Sequence, residues 1–185
     1  MQDPLLHRIT ARPIEAAALA IAVAGAAAIL GAWFFQYVLK LVPCPLCLEQ
    51  RIPYYVAIPL ALVVLGAAWS KKAPRWALLG ALAVIAAAML WNAGLGTYHA
   101  GVEWKWWQGP QDCSAPLSNL GSTGDLLRQL QTINVVRCDE AAWRFLGLSL
   151  AGWNVLISLG LAALAVWAIA AARGRSAYGS SSVSQ

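Results

Sequence analysis

The stretch Pro43-Cys44-Pro45-Leu46-Cys47-Leu48-Glu49-Gln50-Arg51 stands between two long apolar runs, Ile14–Leu39 and Ile52–Trp69. A Cys-x-x-Cys pair here is followed, four residues after its second sulfur, by a cation. The thiolate is the reactive form of cysteine, and positive charge or a helix N-terminus lowers the thiol pKa. The flanking runs each approach or exceed the ~18–20 residues that cross hydrocarbon as a helix. A reactive pair at a membrane edge implies redox chemistry between an aqueous loop and something in the bilayer.

Two more runs complete the pattern, Trp76–Tyr98 and Phe145–Ala172. The 185-residue chain is 60% hydrophobic and 11% charged, whereas soluble domains are roughly 45–50% apolar and about 25% charged. The expected fold is all-α, a four-transmembrane-helix bundle forming a single domain over residues 1–172. Its helices span approximately 14–39, 45 or 52–69, 76–98 and 145–172, and a disordered tail follows over 173–185. The first run is too long for the ~7–15-residue apolar core of a signal peptide. It also ends on the aromatic belt Trp33-Phe34-Phe35-Gln36-Tyr37, so it reads as retained.

Charge sets the orientation. Arg8, Arg12, Lys71, Lys72, Arg75, Arg173 and Arg175 share one side with only Asp3 and Glu15. The other side balances six bases with six acids, so the net +5 falls on one face. The positive-inside rule makes that face cytoplasmic, with both termini there and outer loops over about 40–51 and 99–144. The basic residues sit at helix ends and form no continuous patch, which argues against a nucleic-acid partner. All four cysteines, Cys44, Cys47, Cys113 and Cys138, then face the outer compartment. An even set there reads as two disulfides or two redox pairs, and three pairings are open.

The second helix has two possible starts. Cys44 can cap a helix with Pro45 in its first turn, where the missing N–H costs nothing, or Pro53 can begin it. Asn92 and Asn154 lie within spans, where interhelical hydrogen bonding and a ligand role are the competing readings. In the outer loop, Trp104, Trp106 and Trp107 suit the lipid headgroup level. Ser122 to Asp125 forms a capping box before Leu126, Leu127, Leu130 and Ile133, a stripe able to lie on membrane lipid or dock on its own loop.

The two cysteine pairs differ in kind. A bridge between Cys113 and Cys138, with 24 residues between them, would stabilise the loop by roughly 3 kcal/mol on the chain-entropy argument. So short a loop as Cys44-x-x-Cys47 gains little that way, so the close pair reads as a redox centre and the distant pair as structural or a relay. Haem attachment needs a histidine where Leu48 stands. A four-cysteine zinc site would hold the thiolates closed, so no metal is expected.

Pro43-Cys-x-x-Cys-x-x-x-Arg51 after the first of four membrane helices resembles the bacterial disulfide bond formation protein B (DsbB) family. So do the outer Cys113…Cys138 loop and the run Cys138-Asp139-Glu140…Trp143-Arg144-Phe145-Leu146-Gly147 that leads into the last helix. The likeness covers approximately residues 14–170. It implies a multi-pass protein of the bacterial inner membrane with its cysteines on the periplasmic side. It further implies redox disulfides Cys44–Cys47 and Cys113–Cys138, with a reduced periplasmic DsbA-like thioredoxin-fold protein attacking the loop bridge at Cys113. Cys138 and Cys44 would pass the electrons on, and Cys47 would deliver them to a bound ubiquinone or menaquinone. By the same similarity Arg51 would lie near the quinone, Gln36 beside its pocket, and His99 at a histidine position of the family. Gln50 stands where some relatives carry an acid. The alternatives are a paralogue serving one dedicated substrate and a non-enzymatic membrane subunit with two structural disulfides.

Overall fold

The computed structural model describes residues 12–110 and 138–181. Helix α1 runs Pro13–Trp33 and continues as a π-helical turn, Phe34–Val38. A short α2 (Pro45–Glu49) is followed by α3 (Ile52–Ser70), α4 (Arg75–Glu103) and α5 (Leu150–Ser181). Four apolar helical stretches, Pro13–Val38, Pro45–Ser70, Arg75–Glu103 and Leu150–Gly174, are each 25 to 29 residues long. At ~1.5 Å per residue the shortest reaches about 37 Å, more than a ~30 Å hydrocarbon layer requires. This is an all-α, four-helix membrane protein.

The chain packs as two compact units. Among the described residues the first holds 12–27, Pro53–Trp91 and 158–181; the second holds Ala28–Ile52, 92–110 and 138–157. In the first unit small side chains fill the contact surfaces: Ala17, Ala18, Ala57, Ala61, Ala165 and Ala168 are at most 1% exposed. Leu19, Val23, Val63 and Trp76 point outward instead, from 52% to 77% exposed. Lipid solvates apolar side chains as well as a protein core does, so association selects small residues that let backbones approach. The Tyr54 hydroxyl meets the Ser158 hydroxyl at 3.3 Å inside this unit.

Several boundaries differ from the sequence reading. The second span uses both proposed starts: Cys44 caps α2, the chain turns at Gln50–Arg51, and α3 begins with Pro53 in its first turn. Helix α4 continues past Tyr98 to Glu103 because polar His99 and Glu103 are buried by neighbours, at 4% and 8% exposure. It closes in a Schellman turn, with Lys105 at φ 62°. There Trp106 N–H donates to Gly101 C=O at 2.9 Å and Lys105 N–H to Val102 C=O at 3.0 Å, satisfying carbonyls the helix end leaves open.

The last helix starts at Leu150, not Phe145. A two-residue antiparallel hairpin, β1 (Arg144–Phe145) and β2 (Leu148–Ser149), occupies the intervening chain. Leu146 and Gly147 both take positive φ, 51° and 82°, the pattern of a type I′ turn. Ser149 then accepts from Gly152 N–H at 3.2 Å, the N-cap that fixes the helix start. At its other end α5 is helical through Ser181, so the expected disorder from residue 173 is corrected over that range. Helix propagation needs only one further backbone bond per residue once a long helix exists.

Candidate functional site

The site lies wholly within the second unit. Cys44 precedes Pro45 and takes the extended backbone that a following proline imposes, φ −73° and ψ 164°. That conformation makes it an N-cap, and its Sγ accepts the Cys47 N–H at 3.3 Å. The x-x spacing then places Cys47 one turn on, with the two Sγ atoms 2.7 Å apart. Both are free cysteines, Cys44 buried and Cys47 half-buried, and little movement would close them into a disulfide.

Cys44 is the electrostatically perturbed sulfur. Its thiol falls from an ordinary 9.0 to about 5. The Cys47 side-chain hydrogen bond is the largest cause; burial opposes it, and His99 and the Cys47 N–H add to the lowering. Hydrogen bonds to the charged form favour that form, which is why burial does not win. Cys44 is therefore the sulfur of the pair that its surroundings dispose toward the thiolate form.

Cys138 packs in the same buried cluster as Cys44, Leu46 and Val102, with Cys47 against it. It is fully buried and disulfide-bonded. Cys113 lies outside the described residues, as does the expected amphipathic stripe over 122–133. Next to Cys138, Asp139 accepts from Lys105 Nζ at 2.7 Å, which links this segment to the end of α4. The pair is exposed, so it guides more than it stabilises.

Arg51 and Gln36 come together as a pair. Arg51 Nη1 donates to Gln36 Oε1 at 2.5 Å. The π turn matters here: Leu39 N–H reaches back five residues to Phe34 C=O, and the wider turn rotates the side chains that follow relative to an α-helix. Such bulges recur at functional sites.

His99 faces Cys44, with Nε2 at 3.8 Å from Sγ. One helical turn along α4, Glu103 Oε1 is 3.9 Å from the same nitrogen. Behind the imidazole runs a chain of amides. Gln50 Nε2 meets His99 Nδ1 at 2.7 Å, Asn154 Nδ2 donates to Gln50 Oε1 at 2.6 Å, and Asn92 Nδ2 donates to Asn154 Oδ1 at 3.3 Å. Close approach of α4 and α5 allows this: a Cβ on Gly96 would lie 2.9 Å from Val155 Cγ2. The donor atoms of Cys44, Cys47 and His99 fall within 4.8 Å of one another. That spacing suits a metal ligand set as well as a thiol pair hydrogen-bonded to an imidazole.

The sequence singled out Cys44, Cys47, Cys138, Arg51, Gln36 and His99. It missed Glu103 and gave Gln50 no part. The i, i+4 spacing of His99 and Glu103 was the available signal; nothing in the sequence aligned Gln50 with Asn154.

A buried, thiolate-forming Cys-x-x-Cys packed against a disulfide-bonded cysteine, in a chain with four membrane-length helices, defines a multi-pass membrane protein of thiol–disulfide chemistry. The family described as "Disulfide bond formation protein DsbB" matches residues 14–168. The chain is 34% identical over 144 residues to disulfide bond formation protein B of Xanthomonas oryzae pv. oryzae, covering 75% of this chain and 78% of the relative. It is 32% identical over 146 residues to the protein of that name from Saccharophagus degradans, covering 75% and 82%. The Hahella chejuensis protein of that name is likewise 32% identical, over 147 residues. This chain belongs to the DsbB family.

Proposed function

We propose that this protein is a quinone-dependent thiol–disulfide oxidoreductase of the bacterial inner membrane, its cysteines on the periplasmic side. It reoxidises a periplasmic DsbA-like thioredoxin-fold protein and passes two electrons to ubiquinone or menaquinone. The observation that carries this reading is the Cys44–Cys47 pair, its sulfurs 2.7 Å apart and packed against disulfide-bonded Cys138.

The thiol steps balance. A partner thiolate attacks the Cys113–Cys138 bridge at Cys113, forming one S–S bond as another breaks and releasing Cys138. The partner's second thiolate then closes its own disulfide and frees Cys113. The loop pair has gained two electrons, and the protons of the partner thiols are accounted for by the two loop sulfurs. Cys138 next attacks the oxidised Cys44–Cys47 pair at Cys44, and Cys47 leaves as a thiolate on the Arg51 side. Attack of Cys113 on the Cys44–Cys138 link restores the loop bridge, leaving Cys44 and Cys47 reduced.

Arg51 and Gln36 fit a quinone at the Cys47 side. The Arg51 fork and the Gln36 Nε2 are N–H donors of the kind that carbonyl oxygens accept, and both residues are only half-buried. A quinone would supply acceptance of two electrons and two protons. Arg51 would hold negative charge at Cys47 and at the acceptor, and a half-buried cation does this more strongly than one in bulk water.

Replacing Cys44 or Cys47 by alanine in the intact membrane protein is the test. Quinone reduction by a reduced DsbA-like partner should vanish while the fold is retained, and turnover persisting in either variant would sink the reading.

A further inference from the structure

The three amides behind His99, with Gln50 and Asn92 buried and Asn154 half-buried, point one way. Asn92 Nδ2 donates to Asn154 Oδ1, Asn154 Nδ2 donates to Gln50 Oε1, and Gln50 Nε2 is thereby aimed at His99 Nδ1. An amide nitrogen only donates, so Nδ1 has to accept. The proton of a neutral imidazole then sits on Nε2, the nitrogen facing Cys44. Turning Gln50 over alone would place its Nε2 against Asn154 Nδ2, donor against donor, so the three amides keep one sense together, and the Cys44 sulfur, an acceptor facing Nε2, selects this one. Gln50 is 7% and His99 4% exposed while Asn154 is half-buried, so it is the Gln50–His99 bond that is shielded from water, and leaving it unmade is costly.

We propose that Asn154 and Gln50 are positioning residues that lock neutral His99 in its Nε2–H tautomer, so that the imidazole donates to the Cys44 sulfur. The lock gives Cys44 a fixed donor at every stage of exchange. It also distinguishes this chain chemically from any with a carboxylate at position 50, which would accept from Nδ1–H and select the opposite tautomer. Among the described residues the other ionisable groups around His99 are Cys44 and Cys47 on the Cys44–Arg51 segment, Glu103 one turn along α4, and Arg144 from the hairpin, which acts on Glu103. Glu103 Oε1 lies 3.9 Å from Nε2, too far to accept a hydrogen bond, and acts on the imidazole only through space.

The proposal rests on the redox reading for the importance of Cys44, but its test needs neither partner nor quinone. The chain has two histidines, His7 and His99, so ¹⁵N-histidine labelling of the full-length protein, with His7→Gln as assignment control, reads His99 alone. At a pH where the imidazole is neutral, the wild type should show a protonated Nε2 and an unprotonated Nδ1. Asn154→Asp offers Gln50 only acceptors, so Gln50 should turn and His99 should switch to the Nδ1–H form. Cys44 then loses its donor, and a one-unit rise in its midpoint would cut alkylation of the reduced protein at pH 5 about fivefold. A wild-type His99 protonated on Nδ1 would overturn the proposal even if no variant folds. So would an Asn154→Asp protein that keeps the Nε2–H form. Turnover failing while the tautomer behaves as stated would instead count against the redox reading alone.

Discussion

Arg51 Nη1 donates to Gln36 Oε1 at 2.5 Å, joining the π turn at the end of α1 to the residue just before α3. A charged donor is thus fixed by a neutral amide, which leaves its positive charge uncompensated by any carboxylate in that bond. A hydrogen bond to a charged group is worth about 1.5–3 kcal/mol. Arg51→Leu is expected to slow quinone-linked reoxidation by at least about tenfold while alkylation of Cys44 stays near the wild-type rate. Gln36→Leu should give a smaller loss, and Arg51→Lys should rescue only in part, because an ammonium lacks the planar fork. Stopped-flow oxidation of the reduced protein by a short-chain quinone checks this; equal rates in all four proteins would contradict it.

The depressed Cys44 thiol has a signed pH consequence. Its value of about 5, against an ordinary 9.0, means the unfolded chain binds a proton between those limits that the folded chain does not. The stabilisation from Cys44 in the reduced protein is therefore complete above about pH 9 and falls away progressively down to about pH 5. Iodoacetamide labelling of reduced protein should accordingly be flat from pH 6 to 8 and drop below pH 5. Cys47→Ala should move that midpoint upward, since the Cys47 side-chain hydrogen bond is the largest cause of the shift. A midpoint near 8 in the wild type would refute the placement.

Gly101 is held by the indole folded over it. An added Cβ there would sit 2.0 Å from Trp107 Cζ2, while Trp107 Nε1 donates to Tyr98 C=O at 2.8 Å and its ring stacks on Tyr98. Gly101→Ala must push the indole off the end of α4. Overpacking of this kind costs typically about 1–3 kcal/mol. Thermal unfolding in detergent should report the loss, and Trp107→Ala in the same background should recover part of it by removing the clash.

The hairpin turn carries a measurable strain. Leu146 sits at φ 51° with 79% of its surface exposed, a conformation in which asparagine is several-fold enriched over branched apolar residues. Leu146→Asn should raise stability by up to about 1 kcal/mol. Gly147→Ala, at φ 82°, should lower it by a similar amount. Matching melting curves for the two variants would show that the turn is not under the backbone constraint described.

The sequence by itself determined the architecture, because crossing a bilayer imposes length and composition on each segment. Every backbone polar group in hydrocarbon must be paired within the helix, so four apolar runs could be read as four helices without knowing what touches what. It also picked out Cys44 and Cys47, since a Cys-x-x-Cys capped by proline carries its geometry in three residues of spacing. Its boundaries failed where tertiary contacts set them. Burial of Glu103 carried α4 past Tyr98, and the Leu146–Gly147 turn with the Ser149 cap delayed α5 beyond Phe145. What only the tertiary structure decided is the polarity of the site: His99 against Cys44, Arg51 on Gln36, and the amides Gln50, Asn154 and Asn92 in a single donor-to-acceptor sense. Those partners lie up to 104 residues apart. Amide direction is a property of packed neighbours, since each donor is oriented only by the acceptor it finds, and no local pattern in the chain encodes it.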